Sequence, residues 1–121
     1  MLYRKCEARI EQHLLSDSNK ILLVDGARQI GKTYIIRHVG KRLFENFVEI
    51  NFMTDAVGRR QFANIRSVED FYVQIGANFG NKLKDKTHTL IFLDEIQTYP
   101  DFLTLLKFLK DDDRYTYICS G

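Results

Sequence analysis

The feature that most constrains this sequence is a glycine-bounded loop between an apolar run and an amphipathic segment. The apolar run covers residues 21–24, and the amphipathic segment follows residue 33. The loop, from Gly26 to Thr33, fits the spacing G-x-x-x-x-G-K-[ST] of a phosphate-binding loop, or Walker A motif. Such a loop requires a strand before it and a helix after it. We therefore predict a strand, a phosphate-binding loop and a helix over residues 20–41.

The spacing of this loop suits a bound polyphosphate. Gly26 and Gly31 allow backbone conformations in which successive N–H groups point inward at an anion. The helix that follows adds its first N–H groups and the positive end of its dipole. Lys32 supplies a positive charge for the β- and γ-phosphate oxygens, and the Thr33 hydroxyl is placed to bind Mg²⁺. The predicted nucleotide-binding residues are Gly26, Ala27, Arg28, Gln29, Ile30, Gly31, Lys32, Thr33 and Tyr34.

A second group of candidate catalytic residues follows the apolar run at residues 89–93, which ends in Asp94 and Glu95. In open α/β sheets ligands bind beyond the carboxyl ends of the strands, where the phosphate-binding loop also lies. Asp94 can hold Mg²⁺ directly or through a water molecule, and Glu95 can orient and deprotonate an attacking water. We predict catalytic roles for Glu95 and Lys32, and metal ligation by Thr33 and Asp94.

Composition is ordinary for a soluble protein, and the length allows one domain at most. The chain has 121 residues, of which 45% are hydrophobic and 28% charged, and its formal net charge is +2. This charge does not support nucleic-acid binding, although Arg37, Lys41 and Arg42, or Arg59 and Arg60, could form local basic patches. The sequence has no apolar stretch typical of a signal peptide or a membrane span. We therefore predict a cytoplasmic protein with no membrane partner.

Hydrophobic periodicity predicts alternating helices and strands. A first helix and its loop occupy residues 1–19, and the nucleotide-binding core occupies residues 20–121. Strands are predicted at 21–25, 47–52, 89–94 and 115–119, with helices from 32 to a C-cap at Gly40, from an N-cap at Ser67 to 79, and at 100–110. The unbroken apolar run predicts that both faces of the first strand are buried. The three acidic residues 111–113 predict a solvated turn, because acids disfavour a helix C-terminus.

The two motifs together resemble those of a family of prokaryotic AAA-type P-loop ATPases. The motifs are Gly26-Ala27-Arg28-Gln29-Ile30-Gly31-Lys32-Thr33 and Leu93-Asp94-Glu95-Ile96-Gln97. The resemblance covers essentially the whole chain and implies a three-layer core with a parallel sheet in the order 5-1-4-3-2. It implies ATP and Mg²⁺ as cofactors and ATP hydrolysis that drives an unidentified process. It also implies that a polar side chain after the fourth strand senses the γ-phosphate, and Ser120 is the candidate.

The same resemblance implies that the chain is the N-terminal part of a longer protein. Full-length members of the family carry a C-terminal nuclease-like domain of unknown function, and the fifth strand, the lid and the second sensor have no counterpart in this sequence. We therefore expect weak or absent ATPase activity from this fragment. The first strand would be an unpaired edge, which invites association into homo-oligomers.

Two alternatives remain open from the residues alone. The first is a nucleotide-gated switch or interaction module with little turnover. The second is a small-molecule phosphotransferase, which shares the loop but does not need a water-activating glutamate. The preference for adenine over guanine rests on the resemblance. The candidate arginine fingers are Arg28, Arg59, Arg60 and Arg114.

Overall fold

The structure is a computed structural model of the chain. It describes residues 2–16, 21–24, 31–52, 65–96 and 100–121. The first part of the predicted phosphate-binding loop, Gly26 to Ile30, lies outside the described residues, as do Arg59 and Arg60.

Helices and strands alternate along the described chain, as periodicity predicts. They are α1 (Leu2–Leu15), β1 (Leu22–Val24), α2 (Lys32–Leu43), β2 (Asn46–Asn51), α3 (Val68–Phe79), β3 (Thr89–Asp94), α4 (Pro100–Asp112) and β4 (Thr116–Ser120). A short 3₁₀ helix, Gly80–Lys82, follows α3. The predicted N-cap of α3 is confirmed, because the Ser67 hydroxyl accepts a 3.1 Å hydrogen bond from the backbone N–H of Asp70.

The four strands form one parallel sheet in the order β1-β4-β3-β2. This arrangement confirms the predicted α/β class and the 1-4-3-2 part of the implied strand order. β2 lies at one edge, as its alternating pattern indicates, and β3 is buried along its whole length between β2 and β4. The register pairs Val24 with Ser120 and Asn51 with Asp94, so the carboxyl ends of all four strands lie along one edge of the sheet.

Helices cover both faces of the sheet and complete a three-layer domain. α1 and α2 pack on the face that carries Leu90 and Phe92 of β3. α3 and α4 pack on the opposite face, which carries Ile91 and Leu93. Because successive side chains of a strand point to opposite faces, the continuous apolar run of β3 supplies both cores.

Gly40 does not end its helix, so the prediction of a C-cap there is wrong. α2 continues to Leu43, and the backbone N–H of Phe44 closes the helix by donating to the Gly40 carbonyl over 2.9 Å. A Cβ on Gly40 would lie 2.6 Å from the Phe47 ring and 2.8 Å from the Leu90 side chain. Gly40 therefore lets α2 approach the sheet closely, a constraint that depends on tertiary packing.

β1 is less buried than its apolar sequence predicts. Leu23 is 53% exposed, whereas Val24 is 9% exposed and packs with α1 and α2. The reason is that β1 pairs only with β4 among the described strands and is an edge of the sheet. An apolar strand at the edge of a sheet can pair with another chain, so we expect this chain to associate into homo-oligomers.

The prediction that the acidic residues 111–113 form a solvated turn is wrong for the first two. Asp111 and Asp112 belong to the helix, and only Asp113, with φ 54°, leaves it. Asp112 accepts a 2.6 Å hydrogen bond from the Tyr72 hydroxyl, and the Arg114 guanidinium lies 4.0 Å from the Tyr72 ring centre. These contacts offset the unfavourable position of acids at a helix C-terminus.

Across the described ranges, no helix combines the length and apolarity needed to cross a lipid bilayer.

We expect Gly40→Ala to lower the free energy of unfolding by about 1–3 kcal/mol, because the added methyl group overpacks the contact between α2 and the sheet. Urea denaturation measures this change. Gly76→Ala is the matched control, since Gly76 lies on α3 and a methyl group added there would meet no atom within 4 Å. The control should be neutral or stabilising by up to about 1 kcal/mol. Equal destabilisation by both substitutions would contradict the packing role of Gly40.

Candidate active site

The candidate active site lies at the edge of the sheet where the strands end. β3 ends at Asp94, β2 ends at Asn51 beside it, and β4 ends at Ser120. α2 begins at Lys32. The topology therefore brings the described parts of the two sequence motifs together, as predicted from the position of ligands in parallel sheets.

Gly31 takes the conformation that the phosphate-binding motif requires of it. Its φ of 66° and ψ of 36° are left-handed, and it is the N-cap residue of α2. Among the described residues a Cβ at this position would meet no atom within 4 Å, and the positive φ is the described reason for glycine here. The N–H groups of the first turn of α2, which have no partner within the helix, follow directly and suit an anion.

Lys32 is mostly buried, with 7% of its side chain exposed. Its Nζ donates a 3.0 Å hydrogen bond to the backbone carbonyl of Gly121, just after β4. The lysine therefore reaches from the start of α2 to the end of a neighbouring strand. A buried ammonium group requires acceptors around it, and phosphate oxygens are acceptors of that kind.

Thr33 and Asp94 meet although they are 61 positions apart in the sequence. The Thr33 hydroxyl donates to Oδ2 of Asp94 over 3.4 Å, and the Asn51 amide donates to the same oxygen, also over 3.4 Å. Both distances are long for hydrogen bonds, so these contacts hold the carboxylate only weakly. The other oxygen, Oδ1, accepts a 2.9 Å bond from the backbone N–H of Glu95.

Burial raises the pKa of the Asp94 carboxyl above the ordinary value of 3.8. The negative charges of Glu95 and Glu49 raise it further, whereas hydrogen bonds from the Glu95 N–H and from Thr33 oppose the shift. The ionised carboxylate is therefore poorly solvated by its surroundings, and a bound cation would stabilise it.

The oxygen atoms that this site offers suit a Mg²⁺ ion that is also bound by phosphate oxygens. Magnesium prefers oxygen ligands and usually keeps waters and substrate phosphates beside one or two protein groups. The Thr33 hydroxyl and the Asp94 carboxylate are such groups. No cluster of three or more His, Cys, Asp or Glu side chains occurs in the described part of the chain, so no described group offers an all-protein cage instead.

Glu95 is held in an uncommon backbone conformation. Its φ is 56°, in the left-handed region, where a residue with a Cβ is disfavoured. The residue is partly buried and directly follows Asp94. Such strain is found most often at functional positions, which is consistent with the role predicted for this glutamate.

Ser120 is fully buried, and its hydroxyl has no hydrogen-bond partner among the described residues. An unpaired buried hydroxyl costs about 1–3 kcal/mol. Gly121, the next residue, supplies the carbonyl that accepts from Lys32. The position of Ser120 beside this lysine is the observation that supports the role implied for it by family resemblance.

Tyr34 lies in the first turn of α2, but its side chain is 62% exposed. Its ring stacks on His38 with the centroids 6.2 Å apart. The group that Tyr34 can offer to a phosphate is therefore its backbone N–H. Arg114, a candidate arginine finger, packs instead on Tyr72 beside the C-terminus of α4.

Asn51 is a site residue that sequence reasoning missed. It ends β2 opposite Asp94 and donates to the Asp94 carboxylate. The available signal was a polar residue directly after an apolar strand residue, but its partner is apparent only from the pairing of β2 with β3.

The strand order, the helix that begins at Lys32 and the acid at the end of β3 together define a P-loop nucleotide-binding core. A family model described as "AAA domain" matches residues 18–121. The chain belongs to the AAA domain family, which confirms the resemblance drawn from its two motifs.

A solved structure shares this fold. The chain is similar to the Saccharomyces cerevisiae Hsp104–ADP complex, with a TM-score of 0.60 and 18% sequence identity. The match covers 98% of this chain and 18% of the Hsp104 chain, so this chain spans less than a fifth of that protein. A search of curated proteins gives no match. The family and the fold together identify an AAA-type ATP-binding core.

We expect Asp94→Asn to raise the free energy of unfolding at neutral pH in the absence of ligand. The raised pKa means that the folded state binds a proton more tightly than the unfolded state. Ionisation of Asp94 therefore destabilises the fold as the pH rises from about 3.8 through the folded-state pKa. The uncharged amide of the substituted asparagine removes this loss of stability. Urea denaturation from pH 4 to pH 8 measures it.

Asp111→Asn is the control for this prediction, because Asp111 is exposed on α4. It should leave the free energy of unfolding at neutral pH within about 0.5 kcal/mol of the parental value. A pH dependence that is the same for Asp94→Asn and the parental chain would contradict the unfavourable burial of this carboxylate.

Proposed function

We propose that this AAA-type core binds ATP together with Mg²⁺ and hydrolyses the terminal phosphate. The observation that supports this proposal most directly is the 3.4 Å contact between the Thr33 hydroxyl and the Asp94 carboxylate. It joins the start of α2 to the end of β3, at the edge where Lys32 is buried. A hydroxyl, a carboxylate and a lysine in this arrangement are the groups that phosphoryl-transfer sites use.

Binding of the triphosphate is assigned to Lys32 and to the backbone N–H groups at the start of α2. The ammonium group and the helix N-terminus both favour negative charge. Residues Gly26 to Ile30 are proposed to contribute further backbone amides. The buried position of Lys32 strengthens its interaction with phosphate, because water screens the charge less there.

Thr33 and Asp94 are proposed to hold the metal. A Mg²⁺ ion held by these two side chains would supply positive charge and so lower the cost of the negative charge that develops during transfer. Asn51 and the backbone N–H of Glu95 keep the Asp94 carboxylate at the end of β3.

Glu95 is proposed to orient the attacking water and accept its proton. The water oxygen bonds to the γ-phosphorus, the bond to the β,γ-bridging oxygen breaks, and ADP and phosphate are formed. Ser120 is proposed to donate its hydroxyl hydrogen to a γ-phosphate oxygen. This donation would give its buried hydroxyl a partner.

We expect Lys32→Ala to weaken ATP binding by at least about tenfold, since it removes a charge-assisted contact with the phosphates. Isothermal titration calorimetry with Mg-ATP measures the dissociation constant. Lys41→Ala is the matched control, because Lys41 is exposed on the same helix and should not affect affinity. Unchanged affinity in Lys32→Ala would contradict the assignment of the phosphate site.

In the full-length protein we expect Glu95→Gln to reduce ATP hydrolysis by about 10²-fold or more while ATP binding is retained. The physical reason is that the amide cannot accept the proton of the attacking water. Phosphate release under multiple turnover measures the effect, and Glu69→Gln, an exposed position on α3, is the control. Hydrolysis equal to that of the parental protein would exclude Glu95 as the base. Binding without turnover in the parental protein would favour a nucleotide-gated switch.

A further inference from the structure

Beside the proposed metal site lies an ion pair that the proposed chemistry does not use. The Arg37 guanidinium on α2 contacts the Glu49 carboxylate on β2 through two hydrogen bonds, each 2.6 Å long. Nε donates to Oε1 and an Nη donates to Oε2, which is the bidentate geometry of a strong arginine–carboxylate pair. The Arg37 side chain is 48% exposed and the Glu49 side chain is 22% exposed.

The Arg37–Glu49 pair lies next to Thr33 and Asn51, the two residues whose side chains contact Asp94. Arg37 is four residues after Thr33, so the two side chains share one side of α2. Glu49 is two residues before Asn51 and therefore shares its face of β2. Thr33 and Asn51 both donate to the same oxygen of Asp94. One helical turn spans about 5.4 Å, so a rotated Arg37 side chain is long enough to reach the Asp94 carboxylate.

The charges of this group interact. The hydrogen bonds to Glu49 are the main reason that the pKa of Arg37 is raised, and the negative charge of Asp94 adds to the shift. In turn, the negative charge of Glu49 contributes to the raised pKa of Asp94. Arg37 is therefore attracted by two carboxylates, and the bidentate pair decides which of them it contacts.

We infer that Glu49 is a positioning residue for the metal site, because it holds the Arg37 guanidinium away from Asp94 and so leaves that carboxylate for Mg²⁺. The inference rests on the proposed function. A guanidinium is always charged, so on Asp94 it would compete with a metal ion for the same oxygens. Glu49 removes this competition while it also ties α2 to the edge strand.

The test uses Glu49→Gln, Arg37→Gln and the double variant in the full-length protein. For each, the binding of a fluorescent ATP analogue is followed as Mg²⁺ is varied at fixed nucleotide concentration. We expect Glu49→Gln to raise the Mg²⁺ concentration for half-maximal binding by about fivefold, the effect of one unit charge about 4 Å away when water screens the interaction fully. Arg37→Gln should not raise this concentration, and the double variant, which keeps the net charge, should stay within about twofold of the parental protein.

This pattern separates competition by Arg37 from a clamp that only joins α2 to β2. A clamp would make both single variants and the double variant equally deficient, and that result would overturn the inference. An unchanged Mg²⁺ requirement in Glu49→Gln would also overturn it. If Mg²⁺ had no effect on nucleotide binding by the parental protein, that result would contradict the proposed function. The inference, which rests on it, would then be overturned as well.

Two further measurements keep the result independent of folding. Thermal unfolding without nucleotide or metal is expected to change to a similar extent in the two single variants, because each removes the same pair. Glu49→Asp retains the negative partner of Arg37 and should keep the parental Mg²⁺ requirement. A raised requirement in Glu49→Asp, with the parental unfolding temperature, would count against charge pairing as the cause.

Discussion

The pairing of β3 with β4 on one side and β2 on the other is the constraint on which the site depends. β3 is buried along its whole length and contributes side chains to the cores on both faces of the sheet. This burial sets where β3 ends, and Asp94 is its last residue. Because the strands are parallel, β2 and β4 end at the same edge of the sheet, at Asn51 and Ser120. The position of the acid thus follows from the packing of the apolar residues that precede it on β3.

The site contains several groups that disfavour the folded state. Asp94 is a desolvated carboxylate, Ser120 has a buried hydroxyl without a partner among the described residues, and Glu95 has a left-handed backbone. Each feature has a cost in stability. A triphosphate with its metal would supply the charge and the acceptor that these groups require. All three residues lie at the edge of the sheet where the strands end, beside the proposed metal site.

The elements around the site differ in how firmly they are held. β2 is an edge strand, and the hydrogen bonds of Thr33 and Asn51 to Asp94 are long. The short bidentate contact between Arg37 and Glu49 is the strongest polar link described between α2 and β2. At the other edge, β1 exposes Leu23. In the described sheet the central strand β3 is the one that is buried along its whole length.

The sequence by itself determined the alternation of helices and strands and the requirement for glycine at position 31. It also determined that Lys32, Thr33 and Asp94 lie at the ends of helices and strands. These are local properties, set by periodicity, by backbone conformation and by residue order. The burial of β1, the role of Gly40 and the ends of α2 and α4 were decided by tertiary structure, since they depend on which surfaces meet. The same holds for Asn51 and for the Arg37–Glu49 pair. Their partners are remote in the chain, and only the parallel strand order brings them together.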